Sequence, residues 1–342
     1  MLYVGLDVHE KYTQIQAMDE AGFLAMTDNL PTTAESLDSF FSQLPDSVSV
    51  SIEAGRNYWW ISQLLSSHSA VHEVKVVDPR RSRTLAKEFS VQSGYGRAKN
   101  DRIDAEMLAE IHRKGMSPAI HLPTEAQLEW RTLVRHRMGL VQQSTSAGGR
   151  LQGLLSMHGM KISTSSLLDD FQAQQGSLES LAKYARCTLQ HLLEHIRLYQ
   201  KQIRNCEKRL SQCLPSSHPQ IKILMSAPGI GIVLSRVMLS EILSIRYFEA
   251  PKYLMSYAGL APVENTSGGK KGVIELNHHC NYYLKYAFVQ AAHTARHHPK
   301  YRNKYNQDVK RHGKTRAKIN LARRLLKAVY WMLTRQEPFH AY

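Results

Sequence analysis

The sequence predicts an α/β domain followed by helical parts: a sheet domain over 1–120, a helical, coiled-coil region over 124–214, and a mainly α-helical domain over 218–342 with a helix-hairpin-helix-like segment. Three observations carry this reading. Apolar runs of strand length, separated by turns and helical stretches, fill the first part of the chain. Apolar residues then recur at alternating steps of three and four from Ala182 to Cys213. Beyond Pro219 the apolar pattern is again helical, broken at Pro228-Gly229-Ile230-Gly231 and at a later glycine-rich turn.

Taken in order, Leu2 to Val8 and Tyr12 to Met18 read as strands, and Asp19-Glu20-Ala21-Gly22 as the turn into a third, Phe23 to Met26. A polar helix from Thr32 to Leu44 leads to the strand Val48 to Ile52. A helix from Tyr58 to Ser67, the strand Val74 to Val77 and the break at Asp78-Pro79 follow. A hairpin-led sheet followed by strand–helix alternation is similar to ribonuclease H-like (RuvC-like) folds. The stretch "DPRRSRTLAKEFSVQSGYGRAKN" reads as a basic helix and a glycine-punctuated loop, Ser93 to Asn100, that delivers the next helix and can touch a substrate backbone. Pro118 and Pro123 close the domain.

The seam of Ala182, Ala185, Leu189, Leu192, Ile196, Tyr199, Ile203, Cys206, Leu210 and Cys213 predicts a coiled coil, either between protomers or against helices from Ala126 to Leu155. Cys206 and Cys213 then act as small apolar residues. The Pro228–Gly231 turn between two apolar helices has the form of a helix-hairpin-helix, which can bind a phosphate through backbone N–H groups, or of a plain tight turn.

Four carboxylates carry the chemistry. Asp7 ends the run Leu2-Tyr3-Val4-Gly5-Leu6, Glu53 follows Val48-Ser49-Val50-Ser51-Ile52, and Asp101 and Asp104 lie one helical turn apart in "KNDRIDAEMLAE". Any one of them alone is a surface acid or a helix cap. Together, two strand ends and one helix can converge on one pocket. Carboxylates crowded there repel one another, so divalent cations, Mg2+ by default and Mn2+ as the alternative, would neutralise them. Two such ions can clamp the attacking and leaving oxygens of a displacement at phosphorus.

The formal net charge is +15, and residues 270–342 hold 16 Lys and Arg against 3 Asp and Glu. A polyanionic partner accounts for such clustering. The four cysteines form no CxxC pair, no signal peptide is recognisable and no apolar run reaches the length of a membrane span. A cytoplasmic protein without a membrane partner is expected.

In "SYAGLAPVENTSGGKKG", Ser267 stands at the lip of a glycine-rich turn beside Lys270 and Lys271. Glycines let backbone approach a phosphate, and the lysines place positive charge beside a hydroxyl. On the residues alone this is either a nucleophile's turn or a solvated surface serine. The ordered strings "GLDVHEK", "SIEAG", "KNDRIDAEMLAE", "PGIG" and "YAGLAPVENTSGGKKG" resemble the insertion-sequence transposases with a four-carboxylate RuvC-like domain and a serine-bearing transposase domain, to which the Piv-type DNA invertases are related. The resemblance runs from Leu2 to about Leu333.

That resemblance implies a metal-binding tetrad of Asp7, Glu53, Asp101 and Asp104, and a nucleophile at Ser267, with Thr266 its nearest competitor, forming a phosphoserine link to DNA. It also implies donor and target DNA as substrates, a structured noncoding guide RNA that pairs with both, and a homo-oligomer, dimer or tetramer. In that oligomer the serine of one protomer would complete the carboxylate site of another, bridged by the coil. One departure stands out: the family's basic "SKRGNRYLR"-like helix start is replaced by "LNHHCNYYLKYAF", where Lys285 keeps one charge. His278, His279 and Cys280 are adjacent in the chain, which favours structural or nucleic-acid contacts over zinc.

Further on, Arg302, Lys304, Lys310, Arg311, Lys314, Arg316 and Lys318, with Lys270 and Lys271, are candidates for gripping nucleic-acid backbones, and Tyr301 and Tyr305 for stacking on bases. Leu321, Leu325, Val329 and Leu333 read as core, which would turn Arg323 and Arg324 outward. The rival functions are an RNA-independent Piv-like invertase, a RuvC-like structure-selective endonuclease acting through activated water, and a non-catalytic nucleic-acid-binding domesticated transposase.

Overall fold

The computed structural model describes residues 1–45, 47–85, 100–170, 172, 175–265, 273–276 and 280–340. They form two compact units, Met1–Leu122 and Pro123–Tyr342.

In the first unit, β1 (Leu2–Val8), β2 (Tyr12–Met18) and β3 (Leu24–Pro31) make an antiparallel meander. The chain returns through α1 (Ala34–Phe41), so that β4 (Val48–Glu53) pairs parallel to β1, and through α2 (Tyr58–Ser66), so that β5 (Val71–Val77) pairs parallel to β4. The resulting mixed sheet has the order β3-β2-β1-β4-β5. Residues 79–85 are helical. β3 runs on to Pro31, beyond the expected Met26, although Asp28 and Asn29 carry no strand signal. Its pairing with β2, from Met18↔Leu24 to Tyr12↔Pro31, supplies the hydrogen bonds that its sequence does not advertise.

Side chains alternate across a strand, and β1 uses both faces. Val4 and Leu6 join Val50 and Ile52 under Leu37, Phe41, Ile61 and Leu65 of α1 and α2. On the other face, α3 (Asp101–Arg113) lies so close to Gly5 that a Cβ there would stand 2.0 Å from Ala105 O and 2.6 Å from Ala109 N. Only glycine admits this approach. The far end of α3 is pinned by His112, which is buried, with Nε2 2.7 Å from Ser49 Oγ on β4, Nδ1 3.1 Å from Ser117 Oγ, and its ring edge-on to Tyr3. Burial, with the Lys75 charge adding and the Glu73 charge opposing, lowers the His112 pKa from 6.5 to about 4.

The second unit begins with α4 (Glu125–Met157), started by a Thr124–Gln127 capping box. The short α5 (Thr164–Asp169) and α6 (Gln175–Leu178) lead into α7 (Lys183–Cys213). α7 runs antiparallel to α4: Leu189 shares a core with Leu151 and Leu155, while Leu210 shares one with Val134. The predicted seam is therefore engaged within one chain. Leu189, Leu192, Ile196, Cys206 and Leu210 are buried, with Leu193 added. The ends differ from expectation, because Ala182 and Cys213 are exposed.

α8 (Pro219–Met225) and α9 (Ile232–Ile242) are the two helices joined by the Pro-Gly-Ile-Gly turn. A 3-10 turn, Ile245–Tyr247, α10 (Pro251–Tyr257) and the paired strands β6 (Pro262–Asn265) and β7 (Val273–Leu276) follow. The unit ends with α11 (Tyr282–Ala295) and α12 (Pro299–Arg335), the latter broken at Gly313 (φ 79°). Gly229, at φ +81°, seats the α8–α9 turn on α11, where a Cβ would lie 2.3 Å from Ala291 O. This glycine serves close packing within the unit. Among the described residues no helix is long and apolar enough to cross a membrane.

Two predictions follow from the seating of α3. Gly5→Ala should lower the unfolding free energy of the first unit by about 2–3 kcal/mol, because α3 has to move off the sheet; urea denaturation followed by circular dichroism measures this. His112 is held neutral in the fold, so below pH 6.5 the unfolded chain takes up a proton that the folded chain refuses until about pH 4. Stability should therefore fall as the pH is lowered through that window, with up to about 3 kcal/mol due to this group. The same titration on His112→Gln should lack that part of the loss.

Candidate functional site

Asp7 and Asp101 meet because strand and helix spacings match. Two residues along β1 from Gly5, on the same face, stands Asp7; one turn back along α3 from Ala105 stands Asp101. The strand step of about 6.6 Å and the helix turn of about 5.4 Å bring the two ends to the same place. β4 lies parallel to β1 with Leu6 opposite Ile52, so Glu53 ends the neighbouring strand beside Asp7. Asn100 caps α3, its side-chain oxygen accepting from Arg102 N, which sets both Asp101 and Asp104 in the first turn.

The tightest group consists of Asp7, His9 and Asp101, which each offer one ligand atom within 4.8 Å of the others. His9 Nε2 is 3.2 Å from Asp7 Oδ2 and 3.5 Å from Asp101 Oδ2. The Tyr12 hydroxyl donates to Asp101 Oδ2 at 2.8 Å, and the Tyr12 ring stacks on His9 with centroids 4.7 Å apart. Burial raises the Asp7 pKa; His9 opposes the shift, and the charges of Asp104 and Asp101 add to it. Glu53 has the Arg83 guanidinium 3.6 Å from its Oε1. A half-buried set of carboxylates and an imidazole, costly to keep ionised together, fits a divalent cation in its donor chemistry. It is the one such group of three among the described residues.

His9 and Tyr12 received no role from the sequence. The signal was present: Asp7 and His9 have the i, i+2 spacing of one strand face, and the turn at Glu10-Lys11 closes with His9 N donating to Tyr12 O at 2.9 Å. Ser267, Thr266, Lys270, Lys271, His278 and His279 lie outside the described residues, as do 93–99 of the expected loop. The strands flanking the serine segment are described, with Asn265 paired to Val273, and Cys280 is half-buried.

Arg302, Lys304, Lys310, Arg311, Lys314 and Arg316 are exposed on α12, and Lys318 is half-buried. Tyr301 and Tyr305 are corrected from the stacking role: both are buried, and burial pushes the Tyr301 hydroxyl up to about 12. With Asp308 they step by four and three, which is an inward helix face. Arg323 and Arg324 are corrected too. They are half-buried, Arg323 Nε donating to Leu260 O at 2.6 Å and Arg324 Nη2 to Asp308 Oδ2 at 2.8 Å, because α12 is covered on several sides. Leu321, Leu325, Val329 and Leu333 are core as expected.

A DEDD-type family of IS110, described as Transposase, matches residues 4–159, and the Transposase IS116/IS110/IS902 family matches residues 221–307. The chain is 22% identical to the transposase for insertion sequence element IS1111A of Coxiella burnetii, over 98% of this chain and 90% of that protein. It is 20% identical to a probable family 20 transposase of Pseudomonas aeruginosa, over 84% and 82%. It is 26% identical to the pilin gene-inverting protein of Moraxella bovis, over 64% and 57%. With the acidic cluster inside the first matched region and the basic helix beginning in the second, the chain belongs to the IS110/IS116 family of transposases.

Proposed function

We propose that this chain moves an insertion sequence by metal-assisted phosphoryl transfer on DNA, guided by a structured noncoding RNA. Asp7, Glu53, Asp101 and Asp104 would hold a divalent cation, Mg2+ or Mn2+, and Ser267 would be the nucleophile. The observation that carries this reading is the meeting of the end of β1 with the first turn of α3 at one acidic point, with β4 the strand beside β1. The order β3-β2-β1-β4-β5, a meander followed by two parallel strands, supports a ribonuclease H-like (RuvC-like) first domain at 1–120, ahead of helical and serine-bearing domains at 124–214 and 218–342.

When bound, the metal polarises the scissile phosphate and offsets the charge that develops on it. The carboxylates hold and orient it. Ser267 Oγ attacks phosphorus, the Oγ–P bond forming as the bond to the departing sugar oxygen breaks. The serine proton ends, through solvent, on that oxygen. The DNA stays esterified to the serine until a hydroxyl of the joining strand displaces it, which conserves the phosphodiester for religation. Lys270, Lys271, Arg302, Lys304, Lys310, Arg311, Lys314, Arg316 and Lys318 grip nucleic-acid backbones, leaving sequence choice to base pairing with the guide. The protein works as a homo-oligomer, dimer or tetramer, in which the serine of one protomer serves the carboxylates of another. The likeness to pilin gene-inverting proteins favours a second reading, a DNA invertase that selects its sites without RNA.

Ser267→Ala should abolish the covalent protein–DNA adduct on denaturing gels and slow strand joining by at least about a thousandfold. Joining at full rate by Ser267→Ala, with Asp101→Ala inactive, would overturn the covalent mechanism. The two site-selection readings separate on RNA that co-purifies with protein expressed from its native flanks. One discrete, structured RNA mapping beside the gene is expected; bulk host RNA alone would establish the invertase reading.

A further inference from the structure

We infer that His9 is itself a ligand of the cation bound by the acidic cluster, alongside Asp7 and Asp101, and that its imidazole tilts the site toward Mn2+ over Mg2+. The inference rests on the carboxylate reading above and adds to it a nitrogen donor.

Distance is the first argument. An octahedral ion with ligands at about 2.1 Å holds adjacent ligand atoms about 3.0 Å apart. His9 Nε2 stands 3.2 Å from Asp7 Oδ2 and 3.5 Å from Asp101 Oδ2, so a movement of a few tenths of an ångström brings the nitrogen to the spacing of a neighbouring ligand with each carboxylate, and one ligand atom from each of the three residues lies within 4.8 Å of the others. Asp7 and His9 come from the end of β1 and the residue just past it, and Asp101 from the first turn of α3, so strand and helix approach the point from different directions.

The second argument is how firmly the imidazole is held. Its ring lies on Tyr12 at an interplanar angle of 27°. Its own backbone is tied on several sides: His9 N donates to Tyr12 O at 2.9 Å, and His9 O accepts from Thr32 Oγ1 at 3.0 Å and from Asn57 Nδ2 at 3.4 Å. Tyr12 also donates its hydroxyl to Asp101 Oδ2, so one residue orients two of the three ligands. Outer contacts that fix ring and carboxylate orientation are what metal-ligating histidines ordinarily have. A histidine serving only as a surface counter-charge needs none of this.

The consequence is chemical. Mg2+ takes oxygen donors and keeps much of its water, whereas transition ions accept imidazole nitrogen alongside carboxylate oxygen. One nitrogen among oxygens therefore adds affinity for Mn2+ and little for Mg2+.

Pulsed electron paramagnetic resonance of the full-length protein loaded with Mn2+ tests this, with Mg2+ affinity read by competition. The expected result is a nitrogen coupling in the wild-type Mn2+ signal that vanishes in His9→Gln, with Mn2+ affinity lower by about tenfold or more and Mg2+ affinity changed by less than about twofold. Mn2+ binding that is lost in Asp101→Ala/Asp104→Ala but carries no nitrogen coupling in the wild type would overturn the role of His9 and leave the carboxylate site standing. No carboxylate-dependent Mn2+ binding at all would overturn both.

Discussion

The contact between Gly5 and the backbone of α3 is the constraint on which the first unit depends. Helix and strand touch there without an intervening side chain, Ala105 O and Ala109 N occupying the space of a Cβ. A helix held that close has little freedom to slide or roll. Its first turn must then fall over the end of β1, and the acids of that turn must face Asp7. His112 secures the opposite end of the same helix through Ser49 and Ser117. Position is thus decided by packing several residues away from the acids, which themselves repel.

The electrostatic pattern is the counterpart of that packing. Left alone, Asp7, Asp101 and Asp104 would push α3 away from the sheet, and burial makes the Asp7 charge costlier still. His9 and Tyr12 answer this locally with hydrogen-bond contacts, and Arg83 approaches Glu53. The second unit treats a buried acid differently. Glu241 is fully buried but takes two bonds of 2.8 Å from Arg135 and one of 2.7 Å from Asn281, the cap residue of α11. A paired, saturated carboxylate of this kind is structural. The half-answered cluster at the end of β1 retains capacity for a cation.

Legibility followed the strength of the periodic signal. Strands β1, β2 and β4 were readable because their apolar alternation is unbroken, and α7 because its seam repeats over its whole length. β3 is not legible beyond Met26, since most of its later residues are polar and owe their conformation to pairing with β2. Tyr301 and Tyr305 were misjudged from the basic residues between them, although their own spacing pointed inward. His9 and Tyr12 went unassigned because each belongs to a turn whose closure, rather than composition, brings them together.

By itself the sequence determined the element types, the acids that could share a site, the uneven basic charge and the family resemblance, since periodicity, residue chemistry and ordered motifs are written along one dimension. Only the tertiary structure decided that the seam of α7 closes on α4 within the chain, that Gly229 and Gly5 are sites of backbone contact, and that an imidazole and a phenol complete the acidic cluster. Those outcomes depend on which surfaces meet across long sequence separations, and close packing rather than local propensity chooses among them.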